Sequence, residues 1–187
     1  MNRREVLKKI ALGMGGILSA TTMGVLFESF TLLESKKNGV LFTTTDEAIL
    51  AEFAEVILPT TKLSPGAKEA GLGKFIPMIV ADCYPPNMQT IFSDGLKEMQ
   101  NRAVKEYHND FLKITPQQRK ELLDSLRIEA LQNKKAPSFF KIARDLTILG
   151  YFSSEIGCTK AREYLPVPGY YDGNVTYKKG QKAWTLN

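Results

Sequence analysis

The sequence of 187 residues is poor in the side chains that most often carry chemistry. It holds one histidine, His108, and two cysteines, Cys83 and Cys158. No Cys-x-x-Cys-His occurs, so covalent c-type haem has no attachment site in this chain, and two thiolates alone are too few for a structural zinc site. No Gly-x-Gly-x-x-Gly follows a strand, which leaves FAD or NAD without a phosphate cradle. Charge of one sign is also scarce. The net charge is +5, and the first 30 residues hold Arg3, Arg4, Lys8 and Lys9 against Glu5 and Glu28, which leaves +3 for the rest. Lys and Arg are interspersed with Asp and Glu, apart from short runs such as Lys178-Lys179. That pattern is a solvated surface and not a stripe for nucleic acid. Internal repeats, low-complexity blocks and long strand-like alternation are missing as well.

The few candidates for independent catalysis are weak. His108, in Glu106-Tyr107-His108-Asn109-Asp110, sits near an expected helix end and reads as a polar surface residue. Glu52 with Glu55, or Asp82 with Glu155, would form an acid/base pair only if the fold joined them, and nothing in the sequence does so. Catalytic, cofactor and metal residues are therefore expected to be absent from this chain.

What is present begins at the N-terminus. Asn2-Arg3-Arg4-Glu5-Val6-Leu7-Lys8 is followed from Ile10 to Phe27 by an uncharged stretch diluted by Gly13, Gly15, Gly16 and Gly24. This layout predicts a twin-arginine export signal over 1–33, with Arg3 and Arg4 as the recognised pair, or an uncleaved N-terminal anchor. The expected location is the periplasm, with attachment to the inner membrane left open. A polar linker over 34–42 then leads to roughly 150 residues, enough for one domain with one core.

That domain, 43–187, reads as all-α, a bundle of five to six helices. Thr43-Thr44-Thr45-Asp46-Glu47 supplies a hydroxyl cap and acids for the positive end of a helix, and Ile49, Leu50, Phe53, Val56 and Ile57 follow at helical spacing before Pro59. Ala67 to Ala70 forms a short turn. Phe75, Ile76, Met78, Ile79 and Val80 predict a buried helix to about Tyr84, with Pro77 in its first turn. After Pro85-Pro86, a helix over about 87–107 places Ile91, Phe92, Leu96, Met99 and Val104 on one face. Thr115-Pro116-Gln117-Gln118 is a capping box opening a helix lined by Leu122, Leu123, Leu126, Ile128 and Leu131. The next helix spans about 138–152 and carries Phe139, Phe140, Ile142, Leu146, Ile148 and Leu149, and Ser153 or Ser154 caps one more through Ala161. From about 163 the chain becomes an irregular tail rich in Pro, Gly and Tyr, laid over the bundle.

Several of these segments together resemble the gluconate 2-dehydrogenase subunit 3 family. They are the twin-arginine start, the first helix with Pro59-Thr60-Thr61 and Pro65-Gly66-Ala67, and Phe75 to Tyr84. Most specific are Leu149-Gly150-Tyr151-Phe152-Ser153-Ser154-Glu155-Ile156-Gly157 and Tyr164-Leu165-Pro166-Val167-Pro168-Gly169-Tyr170-Tyr171-Asp172-Gly173. The resemblance implies a small subunit that escorts and stabilises a large flavoprotein of the glucose-methanol-choline oxidoreductase class. It places FAD in that partner and haem c in a third, cytochrome c subunit of some complexes. It does not fix which sugar is oxidised.

The tail tyrosines and prolines, Tyr164, Pro166, Pro168, Tyr170 and Tyr171, with Trp184, fit three roles: contact with the partner, a platform for sugar, or packing on the bundle itself. The sugar reading leads to the alternative of a stand-alone periplasmic carbohydrate-binding protein. In an oxidising compartment, Cys83 and Cys158 fit either a disulfide or two buried thiols.

Overall fold

The computed structural model of the chain describes residues 41–133, 136–165, 167, 169 and 172–183. Arg3 and Arg4, the apolar stretch behind them, and Pro166, Pro168, Tyr170, Tyr171 and Trp184 lie outside those residues. Helix α1 spans Thr44–Ile57 and starts at a reciprocal cap: Thr43 Oγ1 accepts from the Asp46 amide, and the Thr43 amide donates to the Asp46 carboxylate at 2.8 Å. This satisfies two polar groups that a helix end otherwise leaves to solvent.

Helix α2, Leu72–Cys83, begins three residues earlier than Phe75, so Pro77 lies beyond the first turn. Gly71, at φ 77°, makes this possible by turning the chain through the left-handed region, where a Cβ is unfavourable. Pro77 itself is buried, and its ring fills space against the core while the helix forgoes one backbone bond. Gln89 Nε2 donates to Ala81 O and Tyr84 O, both at 2.9 Å, and so closes the C-terminal end of α2.

Helix α3, Pro86–Tyr107, takes Pro86 at its first position and ends at His108, which is exposed and left-handed at φ 54°. Helix α4, Pro116–Gln132, opens with the expected box: the Thr115 amide donates to Gln118 Oε1 at 2.9 Å and Thr115 Oγ1 accepts from the Gln118 amide. Helix α5, Phe139–Ser153, is capped by Ser138 and followed by a short π-helical turn, Gly157–Ala161. Ser154 Oγ accepts from the Gly157 amide at 3.1 Å. Among the described residues there is no β-strand, and the architecture is an all-α bundle.

The core is aromatic at its centre. Phe42, Phe92, Phe139, Phe53 and Phe140 form a chain of edge-to-face contacts with centroids 5.0–6.0 Å apart, which ties α1, α3 and α5 together. Each such pair contributes about 0.5–1.5 kcal/mol beyond burial of its area. Helices α3 and α5 come close because Gly95 faces Phe139; a Cβ at Gly95 would lie 2.2 Å from the Phe139 Cβ.

Several large residues assigned to the inner faces by spacing lie outside instead. Met78, Val104, Ile128, Leu131, Ile148 and Leu149 are exposed, and Ala103, Ala130, Ala143 and Thr147 hold buried positions on those helices. Most of the large apolar residues marked by spacing, such as Leu50, Phe53, Phe92, Leu96, Met99, Leu122 and Leu146, are buried, and these small residues share the inner faces with them.

Candidate functional site

The first polar centre is built by α1 and the loop that follows it. Glu55 lies on α1, and its two carboxylate oxygens divide the work. Oε1 accepts from the Thr60 amide and from Thr60 Oγ1, each at 2.9 Å, and Oε2 accepts from the Lys68 amide at 2.9 Å. Thr60 Oγ1 also accepts from the Gly66 amide at 3.0 Å, and Leu58 O accepts from the Ala67 amide at 2.9 Å. The loop between Leu58 and Lys68 is thereby folded back on the end of α1. Gly66 is required there because a Cβ would lie 2.3 Å from both Glu55 oxygens.

Helix α5 locks this loop from the other side. Tyr151 is buried, and its hydroxyl donates to Pro65 O at 2.6 Å across 86 residues of sequence. Next to it, Gly150 faces α2, where a Cβ would meet the Phe75 ring at 2.5 Å and Leu72 Cδ2 at 2.7 Å. The structure therefore brings together Pro65-Gly66-Ala67, Phe75 and Gly150-Tyr151, three of the segments singled out in the sequence. Gly157 has a related role. A Cβ on it would sit 1.8 Å from Tyr151 O, so the turn after α5 needs glycine at that point.

The second polar centre joins α1 to α4. Arg119 Nη1 donates to Glu52 Oε2 at 2.5 Å, Nη2 donates to Leu112 O at 2.7 Å, and Nε donates to Phe111 O at 3.0 Å. The Arg119 and Glu52 side chains are 13 % and 19 % exposed, so this pair is largely withdrawn from solvent. Lys68 Nζ is the second cation on Glu52. Glu52 is thus an ion-pair acceptor between α1 and α4, and Glu55 is a cap for the loop. Asp82 and Glu155 are exposed, and no hydrogen bond joins them.

A third cluster lines the α3–α4 edge. Arg102 pairs with Glu129 at 2.5 Å and with Glu98 at 2.7 Å. The hydrogen bonds from Arg102 hold the Glu129 carboxyl below the usual carboxylate range, and those two acids raise Arg102 in turn. Nearby, burial pushes the Tyr107 phenol upward, and the charge of Glu121 adds to the effect.

A shallow depression of about 330 Å³ lies between α1 and the start of α2, lined in part by Glu47, Lys68, Gly71, Gly73 and Lys74. Its glycines serve the fold and not a phosphate cradle: a Cβ on Gly73 would lie 2.5 Å from Glu47 O, so Gly73 sets the approach of the two helices. Among the described residues, no cluster of three His, Cys, Asp or Glu side chains is placed to hold a metal ion, and no helix is long and apolar enough to cross a membrane.

Cys83 and Cys158 are two thiols and not a disulfide. Cys83 is exposed at the last position of α2, which departs from the expectation of burial, while Cys158 is half-buried in the π turn and its Sγ donates to Phe152 O at 3.1 Å. Of the tail residues proposed for contact, Tyr164 is described and is 52 % exposed. Leu165, Val167, Val175 and Tyr177 are also exposed, so the described part of the tail does not bury its apolar side chains on the bundle. The hub roles of Glu55 and Arg119 escaped the sequence reading. The only local signal was the cluster of turn residues after Glu55.

A family model described as "Gluconate 2-dehydrogenase subunit 3" matches residues 44–169, which takes in the five α-helices, the π turn and the first residues of the tail. No curated protein and no solved structure matches the chain.

Proposed function

Because the chain belongs to the gluconate 2-dehydrogenase subunit 3 family, we propose that it is the non-catalytic small subunit of an exported sugar or sugar-acid dehydrogenase. In this reading the large subunit is an FAD-dependent enzyme of the glucose-methanol-choline class, and a cytochrome c subunit takes up its electrons in complexes that have one. Sugar oxidation belongs to the large subunit. The small subunit supplies the twin-arginine address through Arg3 and Arg4, brings the folded flavoprotein to the periplasm and stabilises it there.

The observation that carries the reading is the family match over the whole helical bundle. Three half-buried ionisable groups support it. Glu52, Glu55 and Arg119 are each committed to holding helices or loops, so they serve the scaffold of a binding partner. A rigid scaffold with exposed apolar residues at one terminus suits a protein that acts by contact.

Replacing Arg3 and Arg4 together by Lys tests the escort role in the native host. The expected result is retention of both this chain and the flavoprotein in the cytoplasm. Normal export of the flavoprotein alongside a retained small subunit would refute the escort role.

A further inference from the structure

The described part of the C-terminal segment carries exposed apolar side chains. Tyr164 is 52 % exposed, Val167 79 % and Tyr177 71 %, and Leu165 and Val175 are exposed with them. These residues sit on a loop closed at its base. The Glu163 amide donates to Ala183 O at 2.9 Å, and Lys182 Nζ donates to Lys160 O in the π turn. Two local turns shape the loop. The Asn174 amide donates to Asp172 Oδ1 at 2.9 Å, and the Lys178 amide donates to Gln181 Oε1 at 2.9 Å around Gly180, whose φ is 87°.

The described ends of this segment, Glu163 and Ala183, are therefore joined to each other, and Lys182 ties them to the π turn, so the segment is an arm held at its base. Its return limb, 175–183, has three lysines and no acid. Lys182 is used at the base, while Lys178 and Lys179 are exposed. An arm tied in this way loses less conformational freedom on docking than a loose tail does, so more of its contact energy appears as affinity.

We propose that this arm docks into an apolar groove rimmed by acidic residues on the flavoprotein large subunit, an inference that rests on the small-subunit reading above. Charge selects this occupant over a second copy of the chain: two matched arms would bring Lys178 and Lys179 of each copy towards one another. Backbone chemistry selects a protein over a lipid bilayer. An irregular loop entering hydrocarbon leaves its amides and carbonyls unsatisfied, whereas a protein groove supplies partners for them. The return limb lies beyond the matched residues 44–169.

The test uses the full chain, tagged after Asn187 and produced in its native host with its neighbours, and reads the flavin bound per chain. The wild-type chain is expected to carry flavin in equal molar amount. Tyr164→Ser with Val167→Ser and Tyr177→Ser should weaken the complex at least about tenfold, the loss that one truncated aromatic hot spot produces. Lys178→Glu with Lys179→Glu should weaken it at least about tenfold at low salt, and its binding should then rise with salt where that of the wild type falls. A photo-crosslinking side chain at Val175 should yield an adduct with the flavoprotein.

Undiminished flavin in the triple variant overturns the arm as the docking element while the small-subunit reading stands. No flavin with the wild-type chain overturns that reading, and the inference with it. A crosslink to a second copy, or arm-dependent binding to vesicles of phosphatidylcholine and phosphatidylglycerol without a flavoprotein adduct, reassigns the arm and also overturns the proposal.

Discussion

Glu55→Ala should unlock the loop between α1 and α2, and the size of the loss follows from the bonds it removes. The carboxylate accepts two backbone amides and one hydroxyl, each at 2.9 Å. Hydrogen bonds to a charged acceptor contribute about 1.5–3 kcal/mol each when buried, but Glu55 is half-buried and water can replace part of each bond. About 1 kcal/mol per bond gives a loss of about 2–3 kcal/mol. For a unit of this size that corresponds to a fall in melting temperature of about 6–10 °C.

Gly66→Ala should cost about as much by itself, because the three atoms nearest to the new Cβ all belong to the Glu55 carboxyl group, at 2.3–2.6 Å, and must move away. The φ of Gly66 is outside the left-handed region, so no backbone penalty is added. The double variant should then lose little more than Glu55→Ala alone, since the obstructing group is gone and Ala reduces the entropy of the unfolded chain. Urea unfolding of the four proteins, followed by circular dichroism, gives the coupling energy. Additive losses would refute the account of Gly66 as a position cleared for the Glu55 carboxylate.

Other consequences can be measured in the same way. Arg119→Met should destabilise the bundle by about 1–3 kcal/mol, because it leaves Glu52 with Lys68 as its cation and frees two loop carbonyls; a loss under about 0.5 kcal/mol in urea unfolding would contradict the hub role. Gly150→Ala should cost about 1–3 kcal/mol by forcing Phe75 and Leu72 aside, and Phe75→Leu should recover part of that loss.

The Glu129 carboxyl is held below its ordinary range in the folded chain, so the unfolded chain binds more protons across that window. Its stabilising contribution is complete above the ordinary carboxylate range and disappears as pH falls through the depressed value. The stability gap between wild type and Glu129→Gln should therefore be present at neutral pH and vanish in acid. Half of the Glu129 side chain is exposed, so the gap is expected to stay within about 1 kcal/mol.

Helix ends were legible because their signals are local. Thr43 and Thr115 supply the hydroxyl caps expected there, and Pro85-Pro86 separates α2 from α3. The start of α2 was misplaced because Gly71 opens it by backbone conformation, without a side-chain cap to mark it. The outward positions of Ile128, Leu131, Ile148 and Leu149 were not legible either. Burial on a helix follows the closest packing contact, and Ala130, Ala143 and Thr147 occupy those contacts despite their small size. Glu52 meets Arg119 across 67 residues, and Tyr151 meets Pro65 across 86, so both polar centres depend on tertiary placement that no local spacing encodes. The motif segments flagged in the sequence do meet in space, through Pro65, Phe75, Gly150 and Tyr151.

The central claim is that this chain works as one subunit of a flavoprotein dehydrogenase. Gentle affinity purification from native membrane and periplasmic fractions, with a visible spectrum of the product, tests it most directly. The account predicts a yellow complex with a large flavoprotein in equal molar amount. A colourless chain recovered alone from both fractions would contradict it.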